Sequence, residues 1–489
     1  MPNHSTTEAA NSHQRRSRSN RISAGILYVA LAGPPLLFGS REPTTIAVWC
    51  ALLGVGLVLA SLRRLQKGHL LVLGGLGFVV LCFGFVLHEQ LSDHPWIAPF
   101  HPVWSKASEA LGQQLVPSAS IVKGQPYFAI GSPLANMLAL ILGLIVGVDS
   151  DRGRRGIRVM AWAGVGYAVY GILALLVDPT EILWREKTAY IGSLTSTFIN
   201  RNTAATYFGS ASAVWFVLLM SAIRGSLPRG KIEWKNVPRH LLAETRKEVL
   251  IRFVMLFVCL SAMFMTGSRG GVLISLMVLI LTFMIFFGRD LSWRGLFAAF
   301  LGCVGTSLLL LQVLGSNIGG RIDMLGLSDA GRLSAYRSTL KIIADNPWFG
   351  TGLGTFAFSF PAYRSDDISM RGVWDIAHNT HLEFASEMGI PLTLVIAIAW
   401  VGALVVLSFG LTGQRRNMIA PLSSFAVSLI ALLHSSIDFS LQIAGYSIVV
   451  FALLGLGLSQ AIRGDNRAAS AHEPPAPNGV QTEISAKHH

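Results

Sequence analysis

Several arginines stand where a permanent charge is costly unless something anionic meets it. Arg201 sits in Phe198-Ile-Asn-Arg-Asn202 and Arg269 in Thr266-Gly-Ser-Arg-Gly-Gly271, each at the end of an apolar run. Arg332 and Arg337 flank the start of an expected amphipathic helix with Leu333, Tyr336, Leu340 and Ile343 on its apolar face. A guanidinium is charged at every working pH and its fork of N–H groups fits phosphate oxygens two at a time. A single such arginine reads equally well as a side chain snorkelling to lipid headgroups; several together point to an anionic ligand. The segment Ala377-His378-Asn379-Thr380-His381-Leu382-Glu383, with Glu387 and Gly389 beyond it, adds an imidazole able to take a proton near neutral pH. His378 is thus a candidate general base or hydrogen-bonding group, against the simpler role of a cap. On a helix Glu383 and Glu387 share a face, as do His378 and Leu382. His434 and Asp438, four residues apart, read as a structural hydrogen bond.

Other patterns fail on chemistry. Gly225-Ser-Leu-Pro-Arg-Gly230-Lys231 has the spacing of a phosphate-binding loop, but Ile232 stands where a hydroxyl should hold magnesium, and no strand precedes it. Gly350-Thr-Gly352-Leu-Gly354 is not a dinucleotide fingerprint and reads as a tight turn after Asn346-Pro347-Trp348. Asp366-Asp367 lacks the spaced acids or histidines of a metal site, and no metal or other cofactor is expected. Cys50, Cys82, Cys259 and Cys303 all lie in apolar runs and read as core filling.

The elements that must position these residues are set by composition. Of 489 residues, 52% are hydrophobic and 13% charged, about half the charged share of a soluble protein. That excludes a cytoplasmic enzyme, a secreted disulfide scaffold and a disordered chain. Twelve apolar windows are long enough to cross a bilayer, at about 22–39, 44–62, 69–88, 129–148, 157–177, 203–222, 250–266, 270–288, 295–315, 389–411, 419–436 and 441–461. Gly33-Pro34-Pro35 and the lack of a small-residue cleavage site make the first an uncleaved span. With the N-terminus cytoplasmic, 26 of the 39 Lys and Arg fall on the cytoplasmic side, which also places the C-terminus there. Topology therefore accounts for the net charge of +13, and no nucleic-acid partner is expected. The expected class is an all-α polytopic membrane protein. Its parts are a disordered tail at 1–20, an N-terminal membrane region at 21–194 with an external loop at about 89–128, a second membrane region at 195–463 with a large helical external loop at about 316–388, and a disordered tail at 464–489.

Residues 195–460 resemble the bacterial O-antigen ligase/polymerase family. The resemblance is carried by the Arg201 and Arg269 motifs, by Gly331-Arg332 through Pro347-Trp-Phe-Gly350-Thr-Gly-Leu-Gly354-Thr-Phe, by His378-Asn379 to Glu387-Met-Gly389, and by the turn from His434 to Asp438. It implies a GT-C-like helical fold in the bacterial inner membrane. It also implies a glycan donor on undecaprenyl diphosphate, a glycolipid or glycan acceptor, and metal-independent transfer on the periplasmic face. By that resemblance Arg201, Arg269 and His378 are the expected catalytic residues. Arg332, Arg337, Asn202, Asn379 and Glu387 are expected at the substrate, with Glu387 supporting the loop rather than reacting. Ligase and polymerase share this donor chemistry and stay unresolved. A lipid-linked oligosaccharide flippase would instead require ionisable residues near mid-membrane and related halves of the chain, and neither is evident. A non-catalytic scaffold would have no need of an external His/Arg constellation.

Overall fold

The computed structural model describes residues 4–227, 246–291, 294–295, 297–298, 300–302, 304–305, 330–368, 373–412 and 415–471. The expected span at 295–315, most of the phosphate-loop-like segment, the start of the large loop to 329 and the tail beyond 471 fall wholly or mostly outside them. The helices in chain order are α1 (His4–Ala32), α2 (Pro43–Val58), α3 (Lys67–Leu91), α4 (Val103–Leu111), α5 (Gln125–Ala129), α6 (Gly131–Gly147), α7 (Ser150–Val177) and α8 (Arg201–Ser226). They continue with α9 (Arg246–Met265), α10 (Arg269–Phe287), α11 (Ala330–Asp345), α12 (Phe356–Ser359), α13 (Thr380–Met388), α14 (Ile390–Phe409), α15 (Arg415–Ser435) and α16 (Ala444–Ala471). A two-stranded antiparallel hairpin, β1 (Glu181–Ile182) and β2 (Arg185–Glu186), is the only sheet among the described residues.

The chain is an all-α polytopic membrane protein. Among the described residues nine helices are long and apolar enough to cross a bilayer, and each coincides with one of the expected spans. Of the remaining three windows, that at 44–62 holds the shorter α2, that at 295–315 lies mostly outside the described residues, and that at 22–39 is interrupted. There α1 ends at Ala32, because Pro34 lacks an N–H and disfavours helix in the residue before it. Gly39 then turns the chain in a left-handed conformation. Helix also runs into both expected tails, back to His4 and on to Ala471, in stretches whose Ala, Arg and Gln are good helix formers.

The most enclosed helix is α16, with 94% of its apolar window buried, against 6% for α3 at the periphery. Small residues bring α6 and α16 together: a Cβ at Gly143 would collide with the carbonyl of Ala452, and one at Gly455 with that of Leu140. Apolar chains have little to gain by leaving lipid for each other, so such close backbone approach supplies the dispersion contact that holds membrane helices together. The N-termini of α8, α10 and α13 are capped by Asn200, Ser268 and Asn379, whose side chains accept backbone N–H groups of the first turn. All three caps lie inside the motifs singled out by charge.

The described residues of the large loop are largely helical, and α11 buries only part of the expected face, Ile343 but not Leu333 or Leu340. Ser334, Ala335, Ser338, Thr339, Ile342 and Ile343 are buried, whereas Leu333 and Leu340 are about half exposed. Side-chain size was a poor guide here, because small residues let α11 approach the rest of the loop closely.

Candidate functional site

The site is organised around one carboxylate. Asp438 lies in the turn between α15 and α16 and is 2% exposed. The side-chain amide of Asn202, at the start of α8, donates to its Oδ2, and Arg332 Nη2 approaches the same oxygen at 3.8 Å. Its Oδ1 accepts from Phe439 N at 2.8 Å and lies 3.4 Å from His378 Nδ1. Burial would by itself raise the Asp438 carboxyl; the bond to His378 and the nearby His434 and Arg332 outweigh it and hold the group below the ordinary carboxylate value. The buried charge is thereby retained in an apolar setting, where an isolated carboxylate would take up a proton.

His378 is held from every side. Its backbone is left-handed at φ 56°, its carbonyl accepts from Tyr336 Oη at 2.9 Å, and its ring lies between those of Trp374 and Phe439 at 5.7 and 5.2 Å. With Nδ1 as donor to Asp438, the neutral ring carries its lone pair on Nε2, for which there is no hydrogen-bond partner among the described residues. Asn379 follows: its Oδ1 caps α13 and its Nδ2 donates to Ser436 O at 2.9 Å. With Thr380 Oγ1 donating to Asp438 O at 3.2 Å, three successive residues, His378, Asn379 and Thr380, tie this segment to the turn bearing Asp438.

Arg332 reaches this pair directly, and two further arginines open helices at the same end of the bundle. Arg332 Nη1 donates to Ile437 O at 2.9 Å. Arg201 is the first residue of α8, its guanidinium lies 5.1 Å from the Tyr190 ring centroid, and its Nε is buried without a hydrogen-bond partner. Arg269 opens α10, and the adjoining Gly270 packs so closely on Ile437 that a Cβ would collide with it. Segments far apart in sequence therefore bring Arg201, Arg269, Arg332 and His378 to the same end of the bundle as Asp438. Arg337 is exposed on α11 and joins none of the Asp438 contacts.

Beneath the cluster lies a scaffold. Glu387 accepts from Gly354 N and Phe356 N, both at 2.9 Å, which fixes the turn after Trp348. Glu383 accepts from Ala377 N at 2.7 Å, next to His378. Gln90, at the end of α3, donates to Phe349 O and Glu387 O at 2.7 and 2.8 Å and accepts from Leu353 N at 3.0 Å. Ile121 N donates to Thr351 O at 2.9 Å. The N-terminal half of the chain, in which no motif was evident, buttresses the loop that carries the motifs. Asn202, Asn379 and Glu387, expected at the substrate, use these side-chain atoms within the protein.

His434 and Asp438 are joined as expected by a structural hydrogen bond, but through the backbone, Asp438 N donating to His434 O at 2.9 Å. The His434 ring contributes to the field at Asp438 while its Nδ1 pairs with Ser440 Oγ at 3.0 Å, and the side chains that meet the Asp438 carboxylate are those of Asn202 and His378, 236 and 60 residues away. Tyr190 was not noticed at all. The signal for Asp438 was available: a carboxylate between two apolar spans needs a cationic partner, and His434 was only the nearest in sequence.

A family model described as O-Antigen ligase matches residues 254–397. No curated protein matches the chain. The matched region contains Arg269, Arg332, Arg337, His378, Asn379 and Glu387, while Arg201, Asn202 and Asp438 reach the site from outside it. The match spans 144 of the 489 residues, and over that part this multi-pass membrane protein is similar to O-antigen ligases.

Proposed function

We propose that the protein transfers a glycan from undecaprenyl diphosphate to an acceptor hydroxyl, on lipid A-core or a similar acceptor, at the periplasmic face of the inner membrane and without a metal ion. The observation that carries this reading is the pairing of His378 with buried Asp438, which Arg332 also approaches, at the end of the bundle where Arg201 and Arg269 open their helices. The acceptor oxygen attacks the anomeric carbon, its proton passes to His378 Nε2, and the bond to the diphosphate breaks with both electrons leaving on the diphosphate. Asp438 selects the imidazole tautomer and stabilises the imidazolium that forms. Arg201 and Arg269 bind the diphosphate and meet the charge that grows on it, a task for which fixed cations in a dry site suffice. The polyprenyl tail stays in hydrocarbon while its headgroup meets the loop, which accounts for a site at the end of a membrane bundle.

Purified full-length protein, treated with chelator and given a defined undecaprenyl-diphosphate glycan with lipid A-core or a repeat-unit acceptor, tests this directly. Transfer to lipid A-core in chelator is the expected result. Chain growth on the repeat-unit acceptor alone would make the protein a polymerase, and recovery of activity only on adding magnesium would take the diphosphate charge away from the arginines.

A further inference from the structure

Tyr190 lies between β2 and α8, in a stretch without a motif. Its backbone is left-handed at φ 58°, a conformation a bulky residue keeps only when its surroundings hold it. Ser193 N donates to its carbonyl at 3.0 Å and Asn200 Nδ2 to its hydroxyl at 3.3 Å, while the Arg201 guanidinium lies over its ring. Asp438 and Arg332 both act on the phenol electrostatically. Burial above all, and Asp438 after it, push the phenol up from its ordinary value, so the hydroxyl keeps its proton.

Two consequences follow for an anion at Arg201. A ring against the face of a guanidinium leaves its N–H edge as the hydrogen-bonding direction and limits where that edge can aim. A phenol oxygen that already accepts from Asn200 still has its own O–H to give. We propose that Tyr190 is a further binding residue of this site: its ring positions Arg201, and its hydroxyl donates to the same diphosphate group. The proposal rests on the reading above for the identity of that anion.

The test uses full-length protein in detergent and inorganic pyrophosphate as the probe, measured both as direct binding by calorimetry and as inhibition of glycan transfer. Tyr190→Phe keeps the ring and removes the proton. It should weaken pyrophosphate binding and raise the KM for the donor about tenfold or more, as expected for a lost hydrogen bond to a charged group, with an unchanged thermal midpoint. Tyr190→Ala should lose more, since Arg201 is released as well. Wild-type pyrophosphate affinity and donor KM in Tyr190→Phe would overturn the proposal, even if Tyr190→Ala fails to accumulate. Direct binding keeps the two readings apart: wild-type protein that transfers no glycan counts against the proposed reaction, while its pyrophosphate affinity relative to Tyr190→Phe still decides the role of Tyr190.

Discussion

At the scale of single residues, His378 and Asp438 should behave as one unit. Replacing Asp438 with Asn retains the shape but removes the charge that orients His378 and stabilises its cation. Initial transfer rates should fall by about two to four orders of magnitude, the range of a lost general base. His378→Ala should fall comparably, and the double variant should be little worse than the poorer single one. Additive losses would show that the two act separately. Arg269 offers a different contrast. Lysine in its place preserves charge and reach but loses the fork, so transfer should drop by about one to two orders of magnitude if the arginine grips diphosphate through paired hydrogen bonds. A near-neutral Arg269→Lys at matched protein level would make it a lipid-facing anchor. These arginines and His378 were legible in the sequence because polar groups at the edge of apolar runs are conspicuous. Asp438 was legible too, but its pairing with His378 and Arg332 was not, because spacing arithmetic sees neighbours on one helix and cannot see across two spans.

Among the elements, α13 carries a stress that pH should reveal. Glu383 and Glu387 lie one turn apart and both are buried. Burial pushes both carboxyls up, Glu383 to about 8 with the neighbouring Glu387 adding to the rise, and Glu387 to about 7, held the lower of the two by the backbone N–H groups it accepts. We therefore place the shared proton on Glu383. Above the ordinary carboxylate value the unfolded chain has released a proton that folded Glu383 still holds, so stability falls as pH rises until the raised value is passed. From about pH 5 to about pH 9 the thermal midpoint of the wild type should drop more than that of Glu383→Gln, measured in one detergent. Equal drops would place the titration elsewhere. Gln90 tests the buttress beneath: Gln90→Leu strips a partner from Phe349 O and from Leu353 N, at about 1 to 3 kcal/mol for each group left buried and unpaired, while Glu387 O keeps its bond from Gly352 N. Both the midpoint and transfer should fall, although Gln90 touches neither His378 nor an arginine. Periodicity located these helices well and their buried faces less well. On α11 the size of Leu333 and Leu340 suggested burial, but close packing favoured Ser334, Ala335 and Ser338.

For the molecule as a whole, the asymmetry of basic residues makes a prediction about sidedness. In a background lacking the native cysteines, cysteines introduced at exposed Gln114 and Asp366 should react with an impermeant reagent from outside intact inner membranes, and one at Lys231 should react only after lysis. Labelling of Lys231 in intact preparations would invert the protein. The number and placement of most spans could be read from hydropathy alone, because the bilayer imposes length and apolarity on each helix separately. How the spans assemble could not be read that way. The contacts that build the site join residues such as Asn202 and Asp438, 236 positions apart, and depend on geometry that no local pattern encodes.

That separation sets an order of events during synthesis. The chain emerges from its N-terminus, so Arg201, Arg269, Arg332 and His378 are all in place before the turn bearing Asp438 has been made. Until then Arg332 and His378 lack the carboxylate that both of them meet in the folded protein. Long-range closure of this kind comes late in folding. A nascent chain arrested before Asp438 would thus sit in the membrane with nearly every motif present and no competent site, so that synthesis of the turn between α15 and α16 is the step that completes it.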